Sequence, residues 1–225
     1  MRSPWVGLAG AAALLVAGCG LISSDVSRIT VDLPSQTYTF DTSMWGSPPV
    51  TTLPSVPCTS DSDCSTAAAV VNWSAATLVC ASSVCEAQVP EAVSTTVSLA
   101  GQPGLSQTAS LAKITISSIS YMVSNNTMNV DLPPFTLYLA PSGVTDPTDT
   151  RAKAFGTVPT IPAGMDPSGQ VQLMADSAAT FEMFTGNISV PFNLIAATTV
   201  DIPGGSPIPS GKITVTVTGT LSAQL

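Results

Sequence analysis

Histidine is absent from this sequence of 225 residues, and charged residues make up 9% of it, against roughly 25% in an ordinary soluble domain. Without histidine, the chain cannot form a Ser-His-Asp triad, a Cys-His pair or a histidine-ligated zinc site. Lys and Arg number 6 and Asp and Glu number 14, giving a net charge of −8. An acidic chain repels a phosphate backbone, so we expect no nucleic-acid binding.

What the chain has instead is apolar and hydroxyl-bearing residues. Hydrophobic residues make up 44% of the chain, and Ser and Thr together number 57, about a quarter of it. High apolar content with little charge is typical of a folded chain and argues against intrinsic disorder. The length suits one domain of about 150–200 residues with a small additional unit.

The first 18 residues have the pattern of an export signal. Arg2 is followed by an apolar run of 12 residues, Val6 to Ala17, and this run is shorter than the roughly 20 residues that a membrane span needs. It ends in Leu15-Val16-Ala17-Gly18-Cys19. This segment resembles the lipobox of bacterial lipoproteins, which has an aliphatic residue, two small residues and then Cys. The alternative is an ordinary secretory signal with a chance cysteine.

The lipobox resemblance implies a membrane anchor at Cys19. It implies diacylglycerol on the Cys19 thiol, cleavage before Cys19 and acylation of the new amino terminus. Several acyl chains anchor a protein firmly, whereas a single chain binds a bilayer only marginally. By analogy with enteric sorting, Gly20 rather than Asp after Cys19 favours the outer membrane. We therefore expect a lipid-anchored protein of the cell envelope, on its periplasmic or surface face.

Four further cysteines predict a small disulfide-stapled unit. Cys58, Cys64, Cys80 and Cys85 follow the pattern C-x5-C-x15-C-x4-C. An exported protein meets an oxidising compartment, so we expect two disulfides rather than a zinc site, whose pairs are usually closer. Three connectivities are open. We favour Cys58–Cys80 with Cys64–Cys85, because interlocked bridges hold a segment that has little core of its own.

Two acidic residues between the first two of these cysteines raise the alternative of a calcium loop. Asp61 and Asp63 supply carboxylates, but an EF-hand loop also needs a third acidic position, a Gly and a distal Glu in register. Ser65 and Thr66 do not supply them. We therefore expect a solvated polar turn, no metal and no cofactor.

Period-two alternation predicts a mainly β chain. The clearest run is the last, where Ile213 to Leu225 places apolar residues on odd positions and Thr, Ser or Gln on even ones. A phase change at Ser117-Ser118 predicts a β-bulge in a strand over residues 113–123. Further predicted strands cover residues 28–33, 36–42, 93–99, 135–139, 171–174 and 188–200, helices cover 66–72 and 176–185, and a helical turn covers 103–109.

These elements predict an antiparallel β-sandwich, Ig-like or similar, with a small disulfide-stapled insert and an N-terminal signal helix. The predicted organisation is a signal peptide over residues 1–18, a lipidated tether over 19–26, an N-terminal β-hairpin and Pro-rich linker over 27–57, a Cys-rich insert over 58–90 and the sandwich over 91–225. Pro34-Ser35 is the expected hairpin turn.

Two further resemblances concern these units. Cys58 to Cys64, with Leu78-Val79-Cys80 and Val84-Cys85, resembles the short Cys-rich modules of myxobacterial envelope proteins. Asn125-Asn126, the Pro-bounded strand after it and the terminal strand resemble the β-sandwich of late-embryogenesis-abundant type 2 proteins, over about residues 92–225. Neither resemblance carries a catalytic residue.

The sequence shows no convincing catalytic constellation. Ser110-Leu111-Ala112-Lys113 matches S-x-x-K, and Ser124-Asn125-Asn126 matches S-x-N of penicillin-binding enzymes, but K-T-G is absent and Lys113 enters a predicted strand. G-x-S-x-G, P-loop and dinucleotide-binding patterns are also absent. The 14 carboxylates are scattered through loops, and no pair is singled out for glycoside hydrolysis. Trp45, Trp73 and Tyr138 fit packing better than a binding surface.

The sequence therefore predicts a non-catalytic envelope lipoprotein with a structural or partner-binding role. Its expected partners are the membrane, through Cys19, and an envelope protein. One rival is a lipid or small-ligand carrier that uses the space between the sheets, which needs an apolar cavity of about 300 Å³ or more, open at one end. The other is an envelope hydrolase, which needs carboxylates that converge in a cleft.

Overall fold

The computed structural model describes residues 28–46, 48–102 and 113–224. Within them the chain forms a mainly β fold of eleven strands in two antiparallel sheets that pack as a sandwich, with two short α-helices. The predicted signal peptide, Cys19, the tether and the turn over residues 103–109 lie outside the described residues. The strands are β1 (Arg28–Asp32), β2 (Gln36–Asp41), β3 (Thr77–Ala81), β4 (Val84–Val97), β5 (Lys113–Ser124), β6 (Phe135–Pro141), β7 (Lys153–Val158), β8 (Ser168–Gln170), β9 (Gln172–Leu173), β10 (Phe192–Ile202) and β11 (Lys212–Gln224); the helices are α1 (Ser65–Val71) and α2 (Ser177–Thr185).

The five-stranded sheet is built around β11. Its order is β1-β11-β5-β8, and β2 pairs with β11 beyond the end of β1. Asp32 lies opposite Thr220 and Gln36 opposite Val217, so β1 and β2 follow one another along the same side of β11. The backbone N–H of Leu33 donates to the Gly219 carbonyl at 2.7 Å between them. The predicted β-hairpin is therefore wrong: Pro34 interrupts the ladder because it has no N–H, but the chain does not turn back.

The six-stranded sheet has the order β3-β4-β10-β6-β7-β9. β4 pairs with β10 without a break, from Val97 opposite Phe192 to Ala87 opposite Ile202. β4 runs through residues 90 and 91, where the sequence predicts the boundary between a Cys-rich insert and the sandwich, so the two predicted units share this strand. The β3–β4 hairpin is a continuation of the sheet.

Two features predicted from periodicity are confirmed. On β11 the odd-numbered residues Ile213, Val215, Val217 and Leu221 are buried, while the Thr residues between them are at least partly exposed. In the β5–β11 register Thr220 lies opposite Ser118 and Leu221 opposite Ile116, so Ser117 is the extra residue of a β-bulge. The bulge allows both segments of β5 to turn their apolar residues toward the core.

The helices occur where the sequence predicts them, but one strand is shorter than expected. The predicted strand over residues 188–200 begins only at Phe192, because the Val190 N–H bonds to the Asn187 carbonyl in a turn and Pro191 has no N–H. β7 and β3 are strands that the sequence pattern did not indicate. Among the described residues, no helix is long and apolar enough to cross a membrane.

Contacts between the sheets give the sandwich two distinct ends. Phe40 of β2 stacks on Phe135 of β6 with ring centroids 4.7 Å apart. Two residues earlier on β2, the Tyr38 hydroxyl donates to the Leu194 carbonyl of β10 at 3.3 Å. In the same direction, beyond the start of β2, Leu33 and Phe192 line one small cavity. β1 continues past this cavity to Arg28, and we call this side the Arg28 end.

The cysteines lie at the opposite end. β10 runs from Phe192, near the Arg28 end, to Ile202, which pairs with Ala87 just after Cys85. At about 3.3 Å per residue, the 11 residues of β10 span roughly 35 Å. We call this second side, which carries Cys58, Cys64, Cys80 and Cys85, the disulfide end.

Candidate functional site

The disulfide end is built on the tight β3–β4 hairpin. Ser82 and Ser83 both have positive φ, 51° and 66°, as a two-residue turn between twisted strands requires. The hairpin places Cys80 directly opposite Cys85. The favoured pairing is confirmed, because Cys80 bonds to Cys58 and Cys85 bonds to Cys64. Both bridges thus tie the hairpin to the loop over residues 58–64.

Both acidic residues of this loop accept backbone hydrogen bonds, Asp63 from within the loop and Asp61 from β3. The Asp61 carboxylate accepts a hydrogen bond of 2.8 Å from the Cys80 N–H. The Asp63 carboxylate accepts from the Thr59 N–H at 2.8 Å and from the Ser60 N–H at 3.0 Å. Hydrogen bonds from the Thr59 backbone and side chain lower the pKa of Asp63. The two carboxylates therefore hold the loop in shape.

Three sulfur atoms lie close enough together to resemble a metal site. The Sγ atoms of Cys58, Cys64 and Cys85 lie within 4.8 Å of one another. This proximity arises because the two disulfides are adjacent. A zinc site requires thiolates, whereas each of these sulfurs is bonded to another sulfur.

Two tryptophans join the disulfide end to the rest of the sandwich. Trp73, which follows α1, donates a 2.7 Å hydrogen bond from Nε1 to the Trp45 carbonyl. Trp45 ends a 3-10 helix over Thr42–Trp45 that follows β2. Their exposures are 6% and 3%, so both serve in packing rather than in a binding surface. The third aromatic, Tyr138, is half-buried on the outer face of the six-stranded sheet.

Glu91 is a half-buried carboxyl beside this tryptophan pair, and the sequence pattern did not single it out. It lies on β4 between Val89 and Val93. Burial raises the pKa of Glu91, and the neighbouring Trp45 side chain partly offsets this rise. The Trp45 Nε1 does not reach standard hydrogen-bond geometry with any acceptor in the described part of the chain. A lone acidic residue within an apolar alternation was the signal that could have marked this position.

The outer surface of the disulfide end is mainly polar. Ala68, Ala69 and Val70 are exposed apolar residues of α1. The exposed residues that carry hydroxyls or carboxylates are more numerous. They are Thr59, Ser60, Asp61, Ser62, Asp63, Ser65, Thr66, Ser74, Ser82 and Ser83.

The space between the sheets is almost filled. An apolar cavity at the Arg28 end has a volume of about 30 Å³, room for a single water molecule, and lies among side chains that include Leu33, Phe181 and Phe192. A more open groove of about 480 Å³ lies on the outer face of the six-stranded sheet, between Tyr138 and the loop containing Asp146. Within the described residues, neither has the closed apolar volume that a lipid needs.

Residues of the S-x-x-K and S-x-N patterns that the structure describes have structural roles. Lys113 begins β5, while Ser110 lies outside the described residues. The Asn126 side chain donates to the carbonyls of Pro162 and Met165 at 2.9 and 2.7 Å, which ties the turn after β5 to a neighbouring loop. Asp146 and Asp149 are likewise held in local turns, by Thr148 and Arg151.

No family model and no curated protein matches this chain. Among solved structures, it is similar to Desmodium yellow mottle tymovirus, with 11% identity and a TM-score of 0.23 over 100% of this chain and 93% of that chain. For turnip yellow mosaic virus the identity is 13% and the TM-score 0.29, over 99% and 92%. For the T=3 Penaeus vannamei nodavirus the values are 11% and 0.26, over 99% and 60%. At TM-scores of this size, these likenesses carry no argument about what the chain does.

Proposed function

We propose that this chain is a non-catalytic lipoprotein of the cell envelope. Lipid on Cys19 anchors it to the outer membrane, and the disulfide end presents a rigid polar surface to a partner protein. The observation that carries the proposal is the position of the disulfides. Arg28, the first described residue after the lipobox, and the two bridges lie at opposite ends of the sandwich. An anchored chain would thus hold its stapled surface away from the bilayer.

Two other observations support this function over its rivals. Paired cysteines are typical of proteins that reach an oxidising compartment, which agrees with an exported lipoprotein. A cavity of about 30 Å³ favours a filled sandwich over a lipid or small-ligand carrier. The hydrolase is disfavoured because Asp61, Asp63, Asp146 and Asp149 are all engaged in local hydrogen bonds.

The anchor is tested by Cys19→Ala, with Ser23→Ala as the control in the same segment. Cys19→Ala should abolish incorporation of labelled palmitate and remove the protein from the outer-membrane fraction. Ser23→Ala should change neither. Palmitate labelling that persists in Cys19→Ala would refute lipidation at this residue.

The partner surface is tested by site-specific photocrosslinking in intact cells. A photoreactive residue replaces Val70, which is exposed on α1 at the disulfide end. The control replaces Met122, which is exposed on the outer face of the five-stranded sheet. The proposal expects a discrete adduct from position 70 and none of the same mass from position 122. Identical adducts from both positions, or none from position 70, would argue against a partner at the disulfide end.

A further inference from the structure

The Arg28 end carries an exposed apolar groove between α2, the turn before β10 and the start of β7. The groove has a volume of about 520 Å³. Met183 on α2 is 67% exposed and Val190 in the turn is 52% exposed. Below them, Phe184 packs on Phe192 with ring centroids 6.1 Å apart, so the groove is supported by the core rather than by a loose loop.

Basic residues are concentrated at the same end. Arg151 and Lys153 line the groove. The backbones of Arg28 and Lys113 both lie in register positions opposite Gln224, where the strands of the other sheet end. These are four of the five Lys and Arg residues that follow Cys19 in the sequence. The acidic residues of this end include Asp32, Asp149 and Glu182.

The charge of this end therefore differs from that of the rest of the chain. Asp149 forms a 2.7 Å ion pair with Arg151, so it offsets that cation locally. Lys153 donates from Nζ to the Thr150 carbonyl at 2.7 Å, which holds its charge at the rim of the groove.

We propose that this groove is the surface that contacts the lipid bilayer, with Met183 and Val190 at the headgroup boundary and Lys153 and Arg151 near anionic headgroups. The inference rests on the proposed lipid anchor at Cys19. The nine residues from Cys19 to Arg28 reach at most about 30 Å, which keeps the Arg28 end close to the membrane. Apolar side chains rimmed by cations are the chemistry by which peripheral surfaces bind membranes.

Depth-sensitive fluorescence tests this contact in the full-length protein. Met183→Trp and, as the matched control, Met44→Trp each add one tryptophan at an exposed methionine. Met44 is 81% exposed and follows β2 at the disulfide end. The proteins are purified from membranes in detergent and reconstituted into phosphatidylethanolamine–phosphatidylglycerol vesicles with brominated acyl chains. The wild-type protein supplies the background emission.

Brominated lipid should quench the added fluorescence of Met183→Trp and leave that of Met44→Trp unchanged. Adding Arg151→Gln and Lys153→Gln to the Met183→Trp protein should weaken the quenching. Adding Lys212→Gln to the same protein, as the control, should not. Equal quenching at both positions, or none at Met183→Trp, overturns the proposal. Shielding of Met183→Trp from aqueous iodide without bromolipid quenching overturns it in favour of a protein contact. Failure of the protein to float with the vesicles also overturns it.

The same samples separate this inference from the proposed function. Mass spectrometry of the N-terminal peptide reports acylation at Cys19. An unmodified Cys19 with the expected quenching pattern refutes the lipid anchor but supports the groove as a bilayer contact. An acylated Cys19 with no quenching of Met183→Trp leaves the anchor intact and refutes the contact.

Discussion

The indole N–H of Trp73 donates a 2.7 Å hydrogen bond to the backbone carbonyl of Trp45. Trp73 follows helix α1, and Trp45 ends the 3-10 helix after β2. Both rings belong to the main core. This contact joins the disulfide end to the core of the sandwich, although the cysteines themselves form a separate small cluster with Ala67.

Trp73→Phe should destabilise the protein more than Trp45→Phe. Both substitutions remove the same volume from a buried site, but only Trp73 loses a hydrogen bond of standard geometry and leaves a buried carbonyl unpaired. An unsatisfied buried polar group costs about 1–3 kcal/mol, and this is the expected difference between the two free energies of unfolding. Urea denaturation at pH 7 measures it. Equal losses would mean that the hydrogen bond does not stabilise the fold.

The sequence predicted those features that depend on local pattern. The alternation of β11, the bulge at Ser117 and both short helices follow from the period of apolar residues over a few turns or strand repeats. The even set of cysteines and the expected export predicted two disulfides but left three connectivities open, and the pairing found is the one favoured for a segment with little core of its own. The two tryptophans were rightly assigned to packing.

The sequence did not predict which strands pair or where one run of strand continues into another. β1 and β2 look like a hairpin locally, and only β11, which lies nearly the whole chain length away, shows that they lie end to end. Pro90 and Glu91 interrupt the apolar pattern of β4. Pro90 is tolerated because the β3–β4 pairing stops at Thr77 opposite Gln88, so β4 is an edge strand at Pro90 within the described residues.

β7 was missed because of Gly156. A glycine inside a six-residue run weakens the strand signal. A Cβ at Gly156 would lie 2.7 Å from Cγ1 of Val171, so the glycine permits the close approach of the neighbouring chain. That requirement is visible only in three dimensions.

Removal of Cys64–Cys85 should cost more stability than removal of Cys58–Cys80. Each bridge closes a loop of similar length, with separations of 21 and 22 residues, and loss of one native disulfide typically costs about 2–5 kcal/mol. Cys64 and Cys85 are both fully buried, whereas Cys80 is half-exposed, so only the first pair leaves a sealed cavity. Paired Cys→Ala variants compared by urea unfolding measure the difference. A larger loss for Cys58→Ala with Cys80→Ala would contradict it.

Gly211→Ala should be much more destabilising than Gly143→Ala. Both glycines have positive φ, 114° and 93°, so both substitutions strain the backbone. A Cβ at Gly211 would collide with the Thr127 carbonyl oxygen, whereas one at Gly143 meets nothing within 4 Å. Overpacking typically adds about 1–3 kcal/mol. Thermal unfolding of the two variants gives the difference, and similar melting temperatures would show that the chain around Thr127 can move aside.

Glu91→Gln should stabilise the protein at neutral pH. Burial raises the pKa of Glu91 in the folded state, so the unfolded chain ionises first, near pH 4.3. The free energy of unfolding therefore falls as pH rises from that value through the folded-state pKa. Glutamine does not ionise, so the variant should gain stability relative to wild type between pH 3 and pH 7. Urea midpoints across that range check this, and a gain that is independent of pH would point to packing instead.

Asp63→Asn should show the opposite dependence on pH. Hydrogen bonds from Thr59 and Ser60 lower the pKa of Asp63 in the folded state. The carboxylate therefore stabilises the fold at pH values above its unfolded pKa of about 3.9. This stabilisation is lost as the pH falls through the folded-state pKa. The variant should therefore be less stable than wild type at pH 7, and the difference should shrink as pH falls below 4. The same urea titration measures both substitutions. If Asp63→Asn lost equal stability at pH 3 and pH 7, the charge of Asp63 would not be what holds the loop between Cys58 and Cys64.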